Sequence, residues 1–222
     1  MNNHDKIIAE YMEKDSIKEK ILYDISLIIV DSKVPLEGNS FYVHQSLQLY
    51  PQLWKKQVNL YWSGKQAKTH ICEIGFNAGH STMLMLLGRD TTPLDFTVFD
   101  IGHHLYTKPC LDYIKQHFSH VRFEYIEGDS AITMPEYIKN NGSLVGIYDI
   151  VHVDGGHTEY NIMNDMKNAD ILVSVGGLII IDDTNNDHIN KYIDIYLSSG
   201  SYIEVEIIET EGYPHRIIKK IK

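Results

Sequence analysis

Thr69-His70-Ile71-Cys72-Glu73-Ile74-Gly75-Phe76-Asn77-Ala78-Gly79-His80-Ser81 runs from an apolar, β-branched stretch into two glycines and then into a helical pattern. Strand, glycine turn and helix in that order form the first half of a βαβ unit. In an open α/β sheet, ligands bind beyond the carboxyl ends of the strands, so this turn is a candidate ligand loop. Glycine at 75 and 79 lets the backbone turn tightly and approach a ligand. The helix that follows presents unsatisfied N–H groups at its start. A dinucleotide loop reads G-x-G-x-x-G, whereas this one reads G-x-x-x-G and is preceded by Glu73. A carboxylate at that place repels a pyrophosphate and attracts a cation.

On the carboxyl side the same alternation continues. Short apolar runs predict strands over 69–74, 95–100, 122–127, 147–153 and 177–181, with helices over 81–87, 108–118, 131–140 and 160–173 between them. Runs such as Leu178-Ile179-Ile180-Ile181 are apolar throughout, as expected of strands covered by helices on both faces. The tail predicts a helix near 188–197, then strands over 202–209 and 216–221 around a turn at Gly212-Tyr213-Pro214, which must pair antiparallel. On the amino side, residues 5–30 carry helical periodicity, with Ser16 and Glu19 spaced as a capping box that would separate two helices near Asp15. A loop follows at 34–39 and a further helix at 44–63. The reading is an α/β fold with a doubly wound, Rossmann-like, mostly parallel sheet over 69–222 and a helical N-terminal cap over 1–68.

Composition sets the limits. The chain has 222 residues, 43% hydrophobic and 23% charged, with 20 Lys and Arg against 30 Asp and Glu, a net charge of −10. A chain of this length buries roughly 70% of its unfolded surface, so it needs neither disulfides nor a structural metal. The negative balance makes nucleic acid an improbable partner, because phosphate binding needs concentrated Lys and Arg. The two cysteines, Cys72 and Cys110, are too few for a secreted disulfide scaffold. The N-terminus lacks a signal-peptide pattern, and the apolar stretch over 25–30 is too short to cross a bilayer. These features imply a soluble, cytoplasmic protein with no membrane partner.

Acids close successive strands: Asp100 after the second, Asp129 in Gly128-Asp129-Ser130 after the third, Asp154 after the fourth and Asp182-Asp183 after the fifth. A strand-end acid such as Asp100 can hold both hydroxyls of a ribose. Taken as a set, Glu73-x-Gly75-x-x-x-Gly79-x-Ser81, Asp100, Gly128-Asp129-Ser130 and the run from Asp149 to Thr184 resemble class I S-adenosylmethionine-dependent methyltransferases. The nearest type is catechol O-methyltransferase and the macrocin O-methyltransferase-like enzymes of small molecules. The resemblance implies a seven-stranded sheet with the last strand antiparallel. It also implies a cofactor site at Glu73, Gly75, Phe76, Asn77, Ala78, Gly79, His80, Ser81, Asp100, Ile101, Gly128, Asp129, Ser130 and Asp154. The expected activity is O-methylation of a small hydroxylated acceptor. An NAD-dependent oxidoreductase and a catalytically idle cofactor-binding module stay open as alternatives.

Asp154, Asp182 and Asp183 together suit a hard, oxygen-seeking cation. Metal-using relatives hold Mg²⁺ with acids at the matching places, so the resemblance implies Mg²⁺ or another divalent ion here. The alternative reading has Asp182 and Asp183 capping the next helix and Asp154 completing a turn. His157 stands where the catechol enzyme's pattern has a lysine base. Histidine titrates near neutrality and suits proton removal from the acceptor, so His157 and Asp154 are the expected catalytic residues. His103 and His104 are expected near the adenosine. The prelude is expected to wall the acceptor pocket or to form a homodimer contact, with Gly38-Asn39-Ser40-Phe41-Tyr42 as a lid.

Overall fold

Along each central strand, successive side chains enter different cores. In the computed structural model, which describes residues 3–38, 40–41, 54–90, 92–208 and 214–222, Ile71, Phe96, Ile150 and Ile180 face one layer of helices. Their neighbours Cys72, Val151 and Ile179 face the other layer. This two-residue alternation of apolar groups lets helices pack on both faces of the sheet.

The elements follow in the order α1 (Asn3–Met12), α2 (Asp15–Ser32), α3 (Trp54–Gln66), β1 (His70–Ile74), α4 (His80–Leu87), β2 (Leu94–Asp100), α5 (Thr107–His117), β3 (Val121–Glu127), α6 (Ser130–Asn140), β4 (Tyr148–Val153), α7 (Glu159–Leu172), β5 (Val173–Ile181), α8 (Asp187–Ser198), β6 (Tyr202–Glu204) and β7 (Arg216–Lys220). The seven strands lie in the order β3-β2-β1-β4-β5-β7-β6, and β7 runs antiparallel to both neighbours. The chain winds outward from β1 to β3 and returns to place β4 on the other side of β1. The crevice between β1 and β4 is therefore the switch point. Among the described residues no helix is long and apolar enough to cross a membrane.

Some boundaries differ from expectation. β6 stops at Glu204 because the chain leaves the sheet, and the Ile208 amide donates to Asn59 Oδ1 on α3 at 2.8 Å. β5 begins four residues early, directly where α7 ends. Ser16 does not cap α2: the helix begins at Asp15 without a side-chain cap, Asp15 pairs with Lys18, and the Lys18 ammonium lies 4.0 Å from the centre of the Tyr11 ring. The expected helix over 44–63 is described from Trp54 and continues to Gln66. Its residues 44–53, and Gly212 and Tyr213 of the expected turn, lie outside the described residues.

The N-terminal helices share the core of the first face. Ile7 and Tyr11 of α1, Ile21 and Ile25 of α2 and Val58 and Leu60 of α3 join one apolar cluster with Met83 and Leu84 of α4. α3 and α4 touch backbone to backbone. A Cβ on Gly64 would fall 1.9 Å from the Met85 carbonyl oxygen, so no larger residue fits this crossing. That contact fixes α3 rigidly and with it Lys56, two turns upstream. Cys72 and Cys110 are buried free thiols, and burial pushes the Cys110 thiol up to about 12.

Candidate active site

A cavity of about 960 Å³ opens beyond the carboxyl ends of β1, β2, β4 and β5. Its walls are the loop after β1, the turns holding Asp100 and Ile101, Gly128 to Ser130, Asp154 to His157 and Asp182-Asp183. Glu37, Gly38, Ser40 and Lys56 close it from the N-terminal side. Of the cofactor, catalytic and metal residues expected from sequence, all line this cavity except Glu73 and Gly79.

The glycine loop is pinned between two strands. Gly75 has φ +89°, and a Cβ there would lie 2.0 Å from the Asp154 carbonyl oxygen. The Gly75 amide donates to the Phe99 carbonyl at 2.8 Å, and the Asp154 amide to the Ile74 carbonyl at 2.9 Å. Asp100 completes the loop: Oδ2 accepts the amides of Phe76 and Asn77, both at 2.8 Å, and Oδ1 accepts that of Gly102 at 2.7 Å. Asp100 still lines the cavity, where it was expected to hold the hydroxyls of a ribose, and these three amides fix its carboxylate in place. The short aspartate side chain turns back onto its own backbone and shapes the loop.

Glu73 also departs from expectation. It is fully buried, accepts hydrogen bonds from the hydroxyls of Ser81 (2.6 Å) and Thr82, and lies 3.0 Å from His152 Nδ1. It therefore ties β1 to α4 and β4 beneath the cavity, whose lining does not include it. Asp129 Oδ1 accepts the Ala131 amide at 2.9 Å and caps α6. Glu37, the residue just before the expected lid, is fastened to the loop. Asn77 Nδ2 donates to the Glu37 carbonyl at 2.7 Å, the Glu37 amide donates to Tyr106 Oη at 3.1 Å, and His104 Nε2 lies 2.6 Å from the Glu37 carboxylate. Asn39 and Tyr42 lie outside the described residues.

The acids after β4 and β5 divide between two basic partners. The Lys56 ammonium donates to Asp154 Oδ2 at 3.1 Å and to Asp182 Oδ2. Asp183, turned by its φ of +55°, faces the other way and meets His157 Nε2 at 2.6 Å. Asp and Asn tolerate this left-handed conformation better than other side chains do. Burial by itself would strip Lys56 of its proton, but the two carboxylates outweigh it and hold the ammonium. Burial, reinforced by the Asp182 charge, pushes the Asp154 carboxyl up to about 7. The hydrogen bond that His157 donates to the Asp183 carboxylate raises the imidazole above its ordinary value. Burial, with the Lys56 charge, holds His80 down at about 4 and so neutral.

The expected three-carboxylate site does not fit a divalent cation. Mg²⁺ binds oxygens at 2.0–2.1 Å in near-octahedral array, whereas the gap between Asp154 and Asp182 is filled by a lysine nitrogen. Ligand atoms of Asp154, His157 and Asp183 lie within 4.8 Å of one another, but His157 already engages Asp183, and imidazole suits softer metals than Mg²⁺. Nor do Asp182 and Asp183 cap α8 through their side chains. Asn186 occupies that boundary, and its amide donates to the Asp183 backbone carbonyl.

Two residues of the site escaped the sequence. Lys56 sits on a helix whose apolar positions, Val58 and Tyr61, place it on the opposite side, which in an amphipathic helix faces solvent, yet α3 is buried on nearly all sides. His152 lies inside an apolar strand directly beside Glu73 in the β1–β4 register. An acid and a histidine within two otherwise apolar runs were the available signal.

A family model described as a methyltransferase domain matches residues 72–184. Among solved structures, an O-methyltransferase from Bacillus cereus in complex with SAH superposes with a TM-score of 0.62 at 16% identity, covering 91% of each chain. Cofactor-bound Rv0187 from MTB gives 0.61 at 15% identity over 91% of this chain and 89% of that one. A methyltransferase from Geobacter sulfurreducens gives 0.57 at 9% identity, again over 91% and 89%. No curated protein matches the sequence.

Proposed function

Since the chain belongs to this methyltransferase domain family and has the class I S-adenosylmethionine-dependent fold, we propose that it methylates a hydroxyl oxygen of a small acceptor. The cavity suits the donor in size and lining. Ligand pockets run to about 1,000 Å³, and the Gly75 to Ala78 backbone, the start of α4 and the Gly128 to Ser130 turn border it. When bound, S-adenosylmethionine supplies a methyl group on a sulfonium, which departs as a neutral thioether.

The observation that carries the oxygen-acceptor reading is the His157–Asp183 pair at 2.6 Å, with the imidazole half exposed at the cavity. With Nε2–H directed at Asp183, Nδ1 holds the lone pair. His157 takes the acceptor's hydroxyl proton at Nδ1, and Asp183 steadies the resulting imidazolium. The cavity lining carries Glu37, Asp100, Asp129, Asp154, Asp182 and Asp183 against Lys56 as its one lysine or arginine. The cavity therefore keeps negative charge that favours a sulfonium. In this reading residues 69–222 bind the donor, and residues 1–68 wall the acceptor through Glu37, Ser40 and Lys56.

The test offers isotope-labelled methyl donor with a panel of phenols, catechols and sugar hydroxyls beside matched amines and RNA. Label on a hydroxyl oxygen is the expected result. Transfer to amines or RNA alone would overturn the oxygen-acceptor reading.

A further inference from the structure

We propose that Lys56 is a built-in replacement for a divalent cation: its ammonium bridges Asp154 and Asp182 at the carboxyl ends of β4 and β5, so that the protein binds no Mg²⁺ there. The three groups come from α3, β4 and β5, and 98 and 126 residues separate the lysine from its two partners. The Lys56 and Asp182 side chains are 3% and 2% exposed. An ammonium this enclosed does not swing aside to admit an ion, because its helix is held on both sides. Gln57 accepts from Tyr11 Oη at 2.8 Å and donates to the Ser40 carbonyl at 2.9 Å. Asn59 accepts the Ile208 amide, and Gly64 lies against the α4 backbone. A cation of twice the charge would have to share two carboxylates with a fixed positive group, and the repulsion excludes it.

The consequence for catalysis rests on the methyl-transfer reading. Lys56 lines the cavity beside Asp154, where its charge stabilises negative charge developing on the acceptor oxygen as His157 removes the proton. It stays protonated and so acts as a fixed electrostatic partner.

The test titrates the full-length protein with Mn²⁺, followed by electron paramagnetic resonance and calorimetry. Wild type is expected to give no saturable binding. Lys56→Ala is expected to bind one Mn²⁺ per chain and to lose it again when Asp182→Asn is added. Lys56→Gln, closer in shape, replaces the alanine variant if that one does not fold. Saturable Mn²⁺ binding by wild type that weakens in Asp182→Asn overturns the proposal. So does a folded Lys56 variant that takes up no Mn²⁺, which reduces the lysine to a structural ion pair. With an acceptor in hand, turnover should persist in chelator, and Lys56→Gln should lower kcat about 10²-fold with donor affinity unchanged. Failure of every hydroxylated acceptor would remove the methyl-transfer reading and leave the Mn²⁺ result standing.

Discussion

Replacing Lys56 by methionine keeps the length of the side chain and deletes its charge. Asp154 and Asp182 then face each other across an apolar methyl group, the latter with a side chain only 2% exposed. Removing one partner of a buried ion pair costs about 3–5 kcal/mol, because the remaining charge is stranded. The loss depends on pH with a definite sign. A carboxyl whose folded pKa lies above its unfolded value binds more protons when folded, so stability rises as pH falls through the folded pKa. Asp154 already behaves this way in wild type, at about 7. In Lys56→Met, the Asp154 carboxyl loses the lysine charge that held it down and moves further up. Lys56 itself adds no slope in this range, since it is protonated both folded and unfolded. The deficit relative to wild type should therefore be about 4 kcal/mol at pH 8. It should shrink by up to about 1.4 kcal/mol for each pH unit between the variant's higher Asp154 pKa and the wild-type value of about 7. Urea unfolding of both proteins at pH 8 and pH 5.5 measures this directly. A deficit under about 1 kcal/mol at pH 8, or one that grows on acidification, would refute the view that the lysine neutralises buried carboxylates.

Gly75→Ala should lose about 2–4 kcal/mol from left-handed strain and collision with the Asp154 carbonyl. Donor affinity by calorimetry should fall with it, and a variant matching wild type in both would contradict the pinned loop. Asp165 on α7 is fully buried, and burial pushes its carboxyl up to about 6. Asp165→Asn should gain up to about 3 kcal/mol at pH 8 and lose the wild-type stabilisation on acidification toward pH 4, as unfolding at the two pH values will report. His157→Gln should slow methyl transfer about 10²-fold. Because Asp183 raises the His157 pKa, the wild-type rate should fall away below a pKa higher than that of an unperturbed histidine, and the variant's pH–rate profile should lack that limb.

The fold was legible because its signals are local. Helix–strand alternation from residue 69 onward and the apolar strand 178–181 specify a sheet covered on both faces, and the strands appear close to their expected places. The glycine spacing marked the loop for the same reason, since Gly75 needs a conformation that side chains avoid. Where the strand ends converge was also readable, because the side of the sheet on which an acid emerges follows from topology. What each acid touches was not. Asp100 and Asp182 look alike in sequence, yet one accepts three backbone amides and the other a lysine. Ser16 had the spacing of a cap, but the pairing of Asp15 with Lys18 occupies the helix start instead.

The sequence alone determined the architecture and the family, because periodicity and turn chemistry act between residues a few positions apart. Only the tertiary structure decided the electrostatics of the site. Lys56 meets Asp154 and Asp182 through a helix crossing that depends on the absence of a side chain at Gly64. A contact across 126 residues leaves no periodic trace, and charges act through the distances that folding sets.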